Sequence, residues 1–205
     1  MYQEVINKKT EHLLSTLVEK KIVEDFYLAG GTALALQFGH RKSIDLDWFN
    51  QKDFNTEKLK GQIKKISQPV IESEEENTLD LILNEVKLSF FGYKYKLLYS
   101  LIEWDGAKLA DYRDIACMKI DAISSRGSKK DFIDLSFILK KLSLSELLEM
   151  FDQKYTDVEF NRLHILKSLD YFDDADNEPM PNMLENISWR EIKKSLRKMI
   201  QGELK

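Results

Sequence analysis

The chain has one cysteine, three prolines and eight glycines among its 205 residues. A lone cysteine, Cys117, permits no internal disulfide and no cysteine-based zinc site, and fits a reducing compartment, so a cytoplasmic location is expected. Cys117 lies in an apolar, helix-patterned stretch, where a buried inert thiol is the expectation. So few prolines and glycines argue against a long disordered tract. No apolar run is long enough to span a bilayer, and Met1-Tyr2-Gln3-Glu4 does not read as a signal peptide, so no membrane role is expected. Basic excess is missing too: the net charge is −4, so any nucleic-acid contact must rest on a local patch. No internal repeat is visible. What the chain does have is 43% hydrophobic and 11% aromatic residues, enough to build the core of one domain or two small lobes.

Periodicity divides the chain into a mixed first half and a helical second half. Thr10 to Lys21 reads as an amphipathic helix with Leu13, Leu14, Leu17 and Val18 on one face. The run Phe26-Tyr27-Leu28-Ala29 suits a buried strand, and a second helix follows it, closed by Gly39. Asn55 or Thr56 caps a helix to about Ile66. Val70 to Ser73 is an expected strand, with Glu74-Glu75-Glu76 as a solvated turn. Thr78–Leu83 and Val86–Phe91 read as a hairpin turning on Asn84-Glu85. Its register sets Leu83 against Val86, Leu81 against Leu88, Leu79 against Phe90, and Asp80 against Ser89. Leu97 to Ile102 is expected to add a strand. From Asp111 the pattern is helical, with helices at Lys129–Lys141, after Ser143 or Ser145, at Phe160–Leu169, and from Ser188 to about Gly202. Asp173-Asp174-Ala175-Asp176 reads as a connector.

Two stretches carry chemistry. In the first, Gly30-Gly31-Thr32 sits where a strand becomes a helix, a place where backbone N–H groups cradle phosphate. Downstream, Asp45 and Asp47 sit two apart on an expected strand, so both carboxylates project to one side while Leu46 and Trp48 face the other. Paired carboxylates of this kind suit a hard cation such as Mg²⁺, and aspartates inside an apolar strand are rare enough to need a reason. The second stretch runs from Lys119 through Arg126 to Lys130-Asp131-Phe132-Ile133-Asp134. On a helix, Lys130 and Asp134 are i, i+4 neighbours and Asp131 and Asp134 are i, i+3, which gathers a base and two acids on one face.

The wording Tyr27-Leu28-Ala29-Gly30-Gly31-Thr32-Ala33-Leu34-Ala35-Leu36, with Gly39-His40-Arg41-Lys42-Ser43-Ile44-Asp45-Leu46-Asp47, resembles the AbiEii/AbiGii toxin family within the DNA polymerase β-like nucleotidyltransferases. Lys119, Arg126 and Lys130-Asp131-x-x-Asp134-Leu135 resemble that family's second set of motifs. The resemblance implies an α+β fold: a nucleotidyltransferase core over residues 1–105, built on a mixed sheet with flanking helices, and a helical lobe over 106–205 packed on it. It implies transfer of NMP from an NTP to an acceptor hydroxyl, plausibly of RNA such as tRNA, with Mg²⁺ or Mn²⁺ as cofactor and a separately encoded antitoxin as partner. By it, Asp45 and Asp47 hold metal, Gly30, Gly31 and Thr32 hold phosphates, Lys119 contacts the nucleotide with Arg126 and Lys130 as further cations, and Asp131 or Asp134 completes the site.

The superfamily usually adds a third carboxylate from a later strand, and here that strand reads Val86-Lys87-Leu88-Ser89. Asp80, opposite Ser89, is one stand-in for it, as a third metal ligand; Asp131 or Asp134 is the other. The alternative is a degenerate member that binds nucleotide or protein without catalysis.

Overall fold

The computed structural model describes residues 1–203. The chain divides into two compact units, Met1–Lys96 with Ser100–Asp111, and Leu97–Tyr99 with Tyr112 onward.

In the first unit, α1 (Lys8–Glu19) starts two residues earlier than periodicity implies, because Asn7 accepts from the Thr10 N–H and caps it. β1 (Tyr27–Ala29) leads directly into α2 (Gly30–Phe38), which ends on Gly39 in the left-handed region. β2 (Leu46–Asn50) follows, then α3 (Thr56–Ile63), capped by Asn55. Next come β3 (Val70–Glu75), β4 (Thr78–Leu83), β5 (Val86–Gly92), β6 (Ile102–Trp104) and β7 (Ala107–Leu109). They form one mixed sheet in the order β3-β4-β5-β2-β1-β7-β6. β1 is antiparallel to β2 and parallel to β7, and β2 is parallel to β5.

The β4–β5 register is the expected one, pairing Leu83 with Val86, Leu81 with Leu88, Asp80 with Ser89 and Leu79 with Phe90. Its turn residues Asn84 and Glu85 both have positive φ, the geometry of the tight turns that match strand twist, reached here without glycine. One face of the sheet is sealed: Leu46, Trp48, Leu79, Leu81, Leu88 and Phe90 are all fully buried, each worth about 1.5–3 kcal/mol. Two expectations change. Glu74 and Glu75 lie inside β3, and the turn is made by Glu76 and Asn77, the latter with positive φ. The strand expected over Leu97–Ile102 does not form: the Leu98 and Tyr99 N–H groups donate to the Asp114 carboxylate (3.0 Å each) instead of to a neighbouring strand.

The second unit is helical: α4 (Tyr112–Ser125), α5 (Lys129–Ile138), α6 (Leu144–Lys154), α7 (Arg162–Asp170), α8 (Asp173–Asp176) and α9 (Trp189–Glu203). Ser143 and Glu146 form a reciprocal capping box at α6. The acidic connector is in fact the single turn α8, where Asp176 accepts from Trp189 Nε1 and Lys193 Nζ. Phe132, Phe172 and Trp189 pack ring against ring beside it. Asp114, which also holds Leu98 and Tyr99, meets Lys154 at 2.7 Å with both side chains fully buried. Cys117 is fully buried, and burial pushes its thiol up to about 12, with Lys154 opposing and Asp114 reinforcing.

Candidate functional site

The strand-to-helix turn is shaped by two glycines with different jobs. Gly30 has φ +65°, a conformation that L side chains adopt only at a cost. A Cβ there would also run into the Asp47 carboxylate, and one on Gly31 would meet the Arg41 guanidinium. The missing side chains therefore let the start of α2 lie directly against an acid on one side and a buried cation on the other. The first N–H groups of α2 have no partner within the helix and carry its positive dipole end. Gly30→Ala is expected to cost about 1–2 kcal/mol from the left-handed backbone alone and to displace Asp47. Urea denaturation followed by far-UV circular dichroism reads the first effect, and nucleotide affinity reads the second.

Asp47 lies in β2, opposite Ala29 at the end of β1. Asp45 lies just before β2 rather than in it. Both are half-buried, while Leu46 and Trp48 between and after them are fully buried, so the alternation expected of a strand holds through both aspartates. Thr32 ties this segment to the turn. Its hydroxyl, almost fully buried, donates to the Asp45 carbonyl and is hydrogen-bonded to Ser43 Oγ at 2.8 Å. The Thr32 side chain is thus spent on holding the Asp45 backbone. His40 and Arg41, in the loop between, are buried as well, and Arg41 Nη1 donates to the Lys42 carbonyl at 3.1 Å.

Across the sheet, Asp47 pairs with Ser89 and Ser89 with Asp80, so the three share one row and one face. Ser89 Oγ donates to Asp80 Oδ1 at 2.6 Å. Two strand spacings separate the Asp47 and Asp80 backbones, roughly 10 Å. Among the described residues no group of three acids, histidines or cysteines is placed to hold a metal ion. On the same face Lys87 pairs with Glu72 at 2.8 Å; that hydrogen bond holds its ammonium pKa up, and the charges of Asp80 and Asp45 add to the effect. The position where a third acid was sought is therefore occupied by a serine bridging to Asp80 and a lysine beside Asp45.

The second motif forms a cluster inside the helical unit. Lys119 Nζ, on α4, lies 2.7 Å from both Asp131 Oδ1 and Asp134 Oδ2 on α5, and all three side chains are at most 7% exposed. Arg126 Nε and Ser128 Oγ donate to Asp131 Oδ2 at 3.1 and 2.8 Å. Burial pushes the Asp131 carboxyl up, but Lys119 and Arg126 outweigh it and hold the group below the usual carboxylate range. Asp121, half-buried, is shifted the other way by burial, with Arg126 opposing. The base that meets the two acids is Lys119, whereas Lys130 is exposed. Its neighbour Lys129 is buried, and donates from its backbone N–H to Glu178 Oε2 at 2.8 Å and from its ammonium to the Glu178 carbonyl. Sequence reasoning did not single out Lys129, Lys154 or Asp114. A lysine in helical register with Leu147, Met150 and Phe151, on the apolar face of α6, is the one signal that marks Lys154 in advance.

Residues 12–202 match the family model described as nucleotidyl transferase AbiEii toxin, type IV TA system. An uncharacterized protein of Aquifex aeolicus, aq_aa25, is 38% identical over 207 residues, covering 97% of this chain and 98% of that one. Among solved structures, JHP933 from Helicobacter pylori superposes with a TM-score of 0.57 at 19% identity, covering 96% of this chain and 92% of its own. An H. pylori structure named as a candidate nucleotidyltransferase superposes with a TM-score of 0.55 at 19% identity, over 95% and 98% of the two chains. These two likenesses establish the fold: a nucleotidyltransferase-type α+β arrangement with a mixed sheet. The motif sets, the fold and the match along nearly the whole chain place this protein in the AbiEii nucleotidyltransferase toxin family of type IV toxin–antitoxin systems.

Proposed function

We propose that this chain is an active nucleotidyltransferase that moves NMP from an NTP to an acceptor hydroxyl, with RNA, plausibly tRNA, as the acceptor. The observation that carries the reading is the interlock of Gly30 with Asp47. A phosphate-cradling helix start and a metal-type carboxylate are built against each other so closely that no side chain fits between them. In the reaction the acceptor hydroxyl gives up its proton to water, its oxygen forms a bond to the α-phosphorus, the α–β anhydride bond breaks, and pyrophosphate leaves with the electron pair. Catalysis of this kind is mostly positioning and charge neutralisation.

The donor set fits Mg²⁺ or Mn²⁺. Mg²⁺ is commonly bound by one or two carboxylates with substrate phosphates and water completing its shell, and Asp45 and Asp47 supply two. Such an ion, when bound, polarises the phosphoryl oxygens and steadies charge on the leaving group. The N–H groups of Gly31 and Thr32 would hold β- and γ-phosphate oxygens, and Arg41 beneath Gly31 adds positive potential there. The proposal carries Lys119 as a phosphate contact, Asp131 or Asp134 as the acid that completes the site, Asp80 as a further metal ligand, and Arg126 and Lys130 as further cations. The family also supplies the expectation of a cognate antitoxin.

The test is incubation of the purified protein with Mg²⁺, total RNA and each α-³²P-labelled NTP in turn. Label should appear in RNA with at least one NTP and vanish with EDTA. No label from any NTP, alongside an active homologue, would sink the reading. A second reading, a non-catalytic nucleotide-binding member, is favoured by the lack of a three-acid cluster among the described residues. Calorimetric NTP binding without label transfer would establish it instead.

A further inference from the structure

We propose that the outer face of α9 is a docking surface for the phosphodiester backbone of a nucleic-acid strand. The helix buries Ile192, Leu196 and Ile200 almost completely. At 3.6 residues per turn, the arc of about 140° that starts beside Ile200 holds Lys193, Arg197, Arg190, Gln201, Lys194 and Lys198 in that order around the axis. No acid of the helix falls within that arc, and Glu191 at its margin is held by the backbone N–H and hydroxyl of Ser188.

The cations divide into two sets. Lys193 is paired with Asp176 at 2.7 Å and Arg197 with Asp170 at 2.9 Å. Arg190, Lys194 and Lys198 make no ion pair among the described residues, and all three are exposed. Spaced i, i+4, i+8, they advance along the helix by about 6 Å per step, of the order of the separation between successive phosphates on a strand. A chain of net charge −4 has left these three cations in register and unneutralised. Asp176 and Asp170 neutralise Lys193 and Arg197 along one edge of the arc, which leaves the unpaired positive charge on the Arg190–Lys198 stripe. A lipid surface fits poorly, because the apolar face such a helix would insert is already buried in the helical unit. An acidic peptide lacks a fixed charge repeat to match the stripe.

This inference stands apart from the catalytic reading, since binding is measured without NTP. The probe is a fluorescein-labelled oligouridylate long enough to span the helix, titrated by anisotropy from about 50 to 200 mM salt. The protein is compared with Arg190→Gln/Lys194→Gln/Lys198→Gln. A charge-matched control, Lys58→Gln/Lys64→Gln/Lys65→Gln, removes three exposed cations at and just after α3. Losing three phosphate contacts should weaken binding about 10²-fold at 50 mM salt and flatten the log–log salt slope by about 2, with the control close to the parent. Far-UV circular dichroism confirms that both variants fold. Equal weakening in the two variants, no weakening in the stripe variant, no measurable binding by the parent at low salt, or binding to phosphatidylglycerol vesicles in preference to the oligonucleotide would each overturn the proposal.

Discussion

Asp47→Asn is expected to abolish transfer of label from NTP to acceptor, by about 10³-fold or more, while leaving the protein folded. Removing one well-placed electrostatic partner of a reacting group typically costs ~10²–10³ in rate; here the same carboxylate also faces the phosphate cradle. Asparagine keeps the shape that fits against Gly30, so the strand-to-helix turn is not disturbed. Asp45→Asn should behave in the same way, because the hydrogen bond that fixes its position is made by its backbone carbonyl to Thr32 and not by its side chain. The two variants together should bind Mg²⁺ weakly by calorimetry and still show the parent's far-UV spectrum. Retained transfer by either one, at a tenth of the parental rate or better, would remove the carboxylate pair from the chemistry. Their loss of activity must be read beside Gly30→Ala, where the same carboxylate is displaced without changing its charge.

How much of this was legible in the sequence depended on the range of the interactions involved. The β4–β5 register could be read because its apolar residues alternate through six pairs, and a slip by one would have put Asp80 and Lys87 into the sealed face. The helix caps were legible for a similarly local reason, Ser188 outright and Asn55 and Ser143 each as one of two candidates, since a cap is set within four residues. The β6–β7 hairpin was missed. Its strands are three residues each, too short for alternation to register, although Asp105-Gly106 with positive φ at both positions is a strong turn signal. The misplaced strand at Leu97–Ile102 had a different cause: its backbone donors are captured by Asp114, sixteen residues on, which no local pattern reveals.

At the site, the glycines and aspartates were readable as types at a spacing. Their mutual exclusion of side-chain volume was not, because it arises only when β1 pairs with β2. The same holds for Thr32, whose hydroxyl is engaged by the Asp45 carbonyl, a contact that no local pattern reveals. In the second motif, helical spacing put Lys130 beside Asp134, whereas the fold brings Lys119 from another helix to both acids. Helix-surface neighbours are a local prediction, and a buried lysine can outcompete them from a distance.

That buried lysine gives the other large expected effect. Lys119→Met should destabilise the helical unit by about 3–5 kcal/mol, the cost typical of leaving a buried ionic partner uncompensated. Two carboxylates, on Asp131 and Asp134, would then face each other with at most 2% exposure and no ammonium between them. Arg126 and Ser128 still reach Asp131, whereas Asp134 loses the ammonium that lies 2.7 Å from its Oδ2. Lys119→Met/Asp134→Leu should therefore recover much of the loss, because an apolar pair of similar volume replaces a buried ion pair at little cost. The pH dependence has a definite sign. Asp131 is held below its ordinary range when folded, so its contribution is present above the unfolded carboxylate value and is lost as pH falls through the lower, folded one. Lys119→Met removes the larger of the two charges that hold it there and should flatten the acid side of the stability profile. Urea denaturation monitored at 222 nm across pH 3–7, for the parent and both variants, measures all three effects. A loss below about 1 kcal/mol in Lys119→Met would put the cluster among pairs of the surface kind. Transfer activity normalised to the folded fraction then separates a core role of the pair from a role in the reaction. If Lys119 and Asp134 serve only the core, the double variant regains activity along with stability; if either also serves the reaction, stability returns and activity does not.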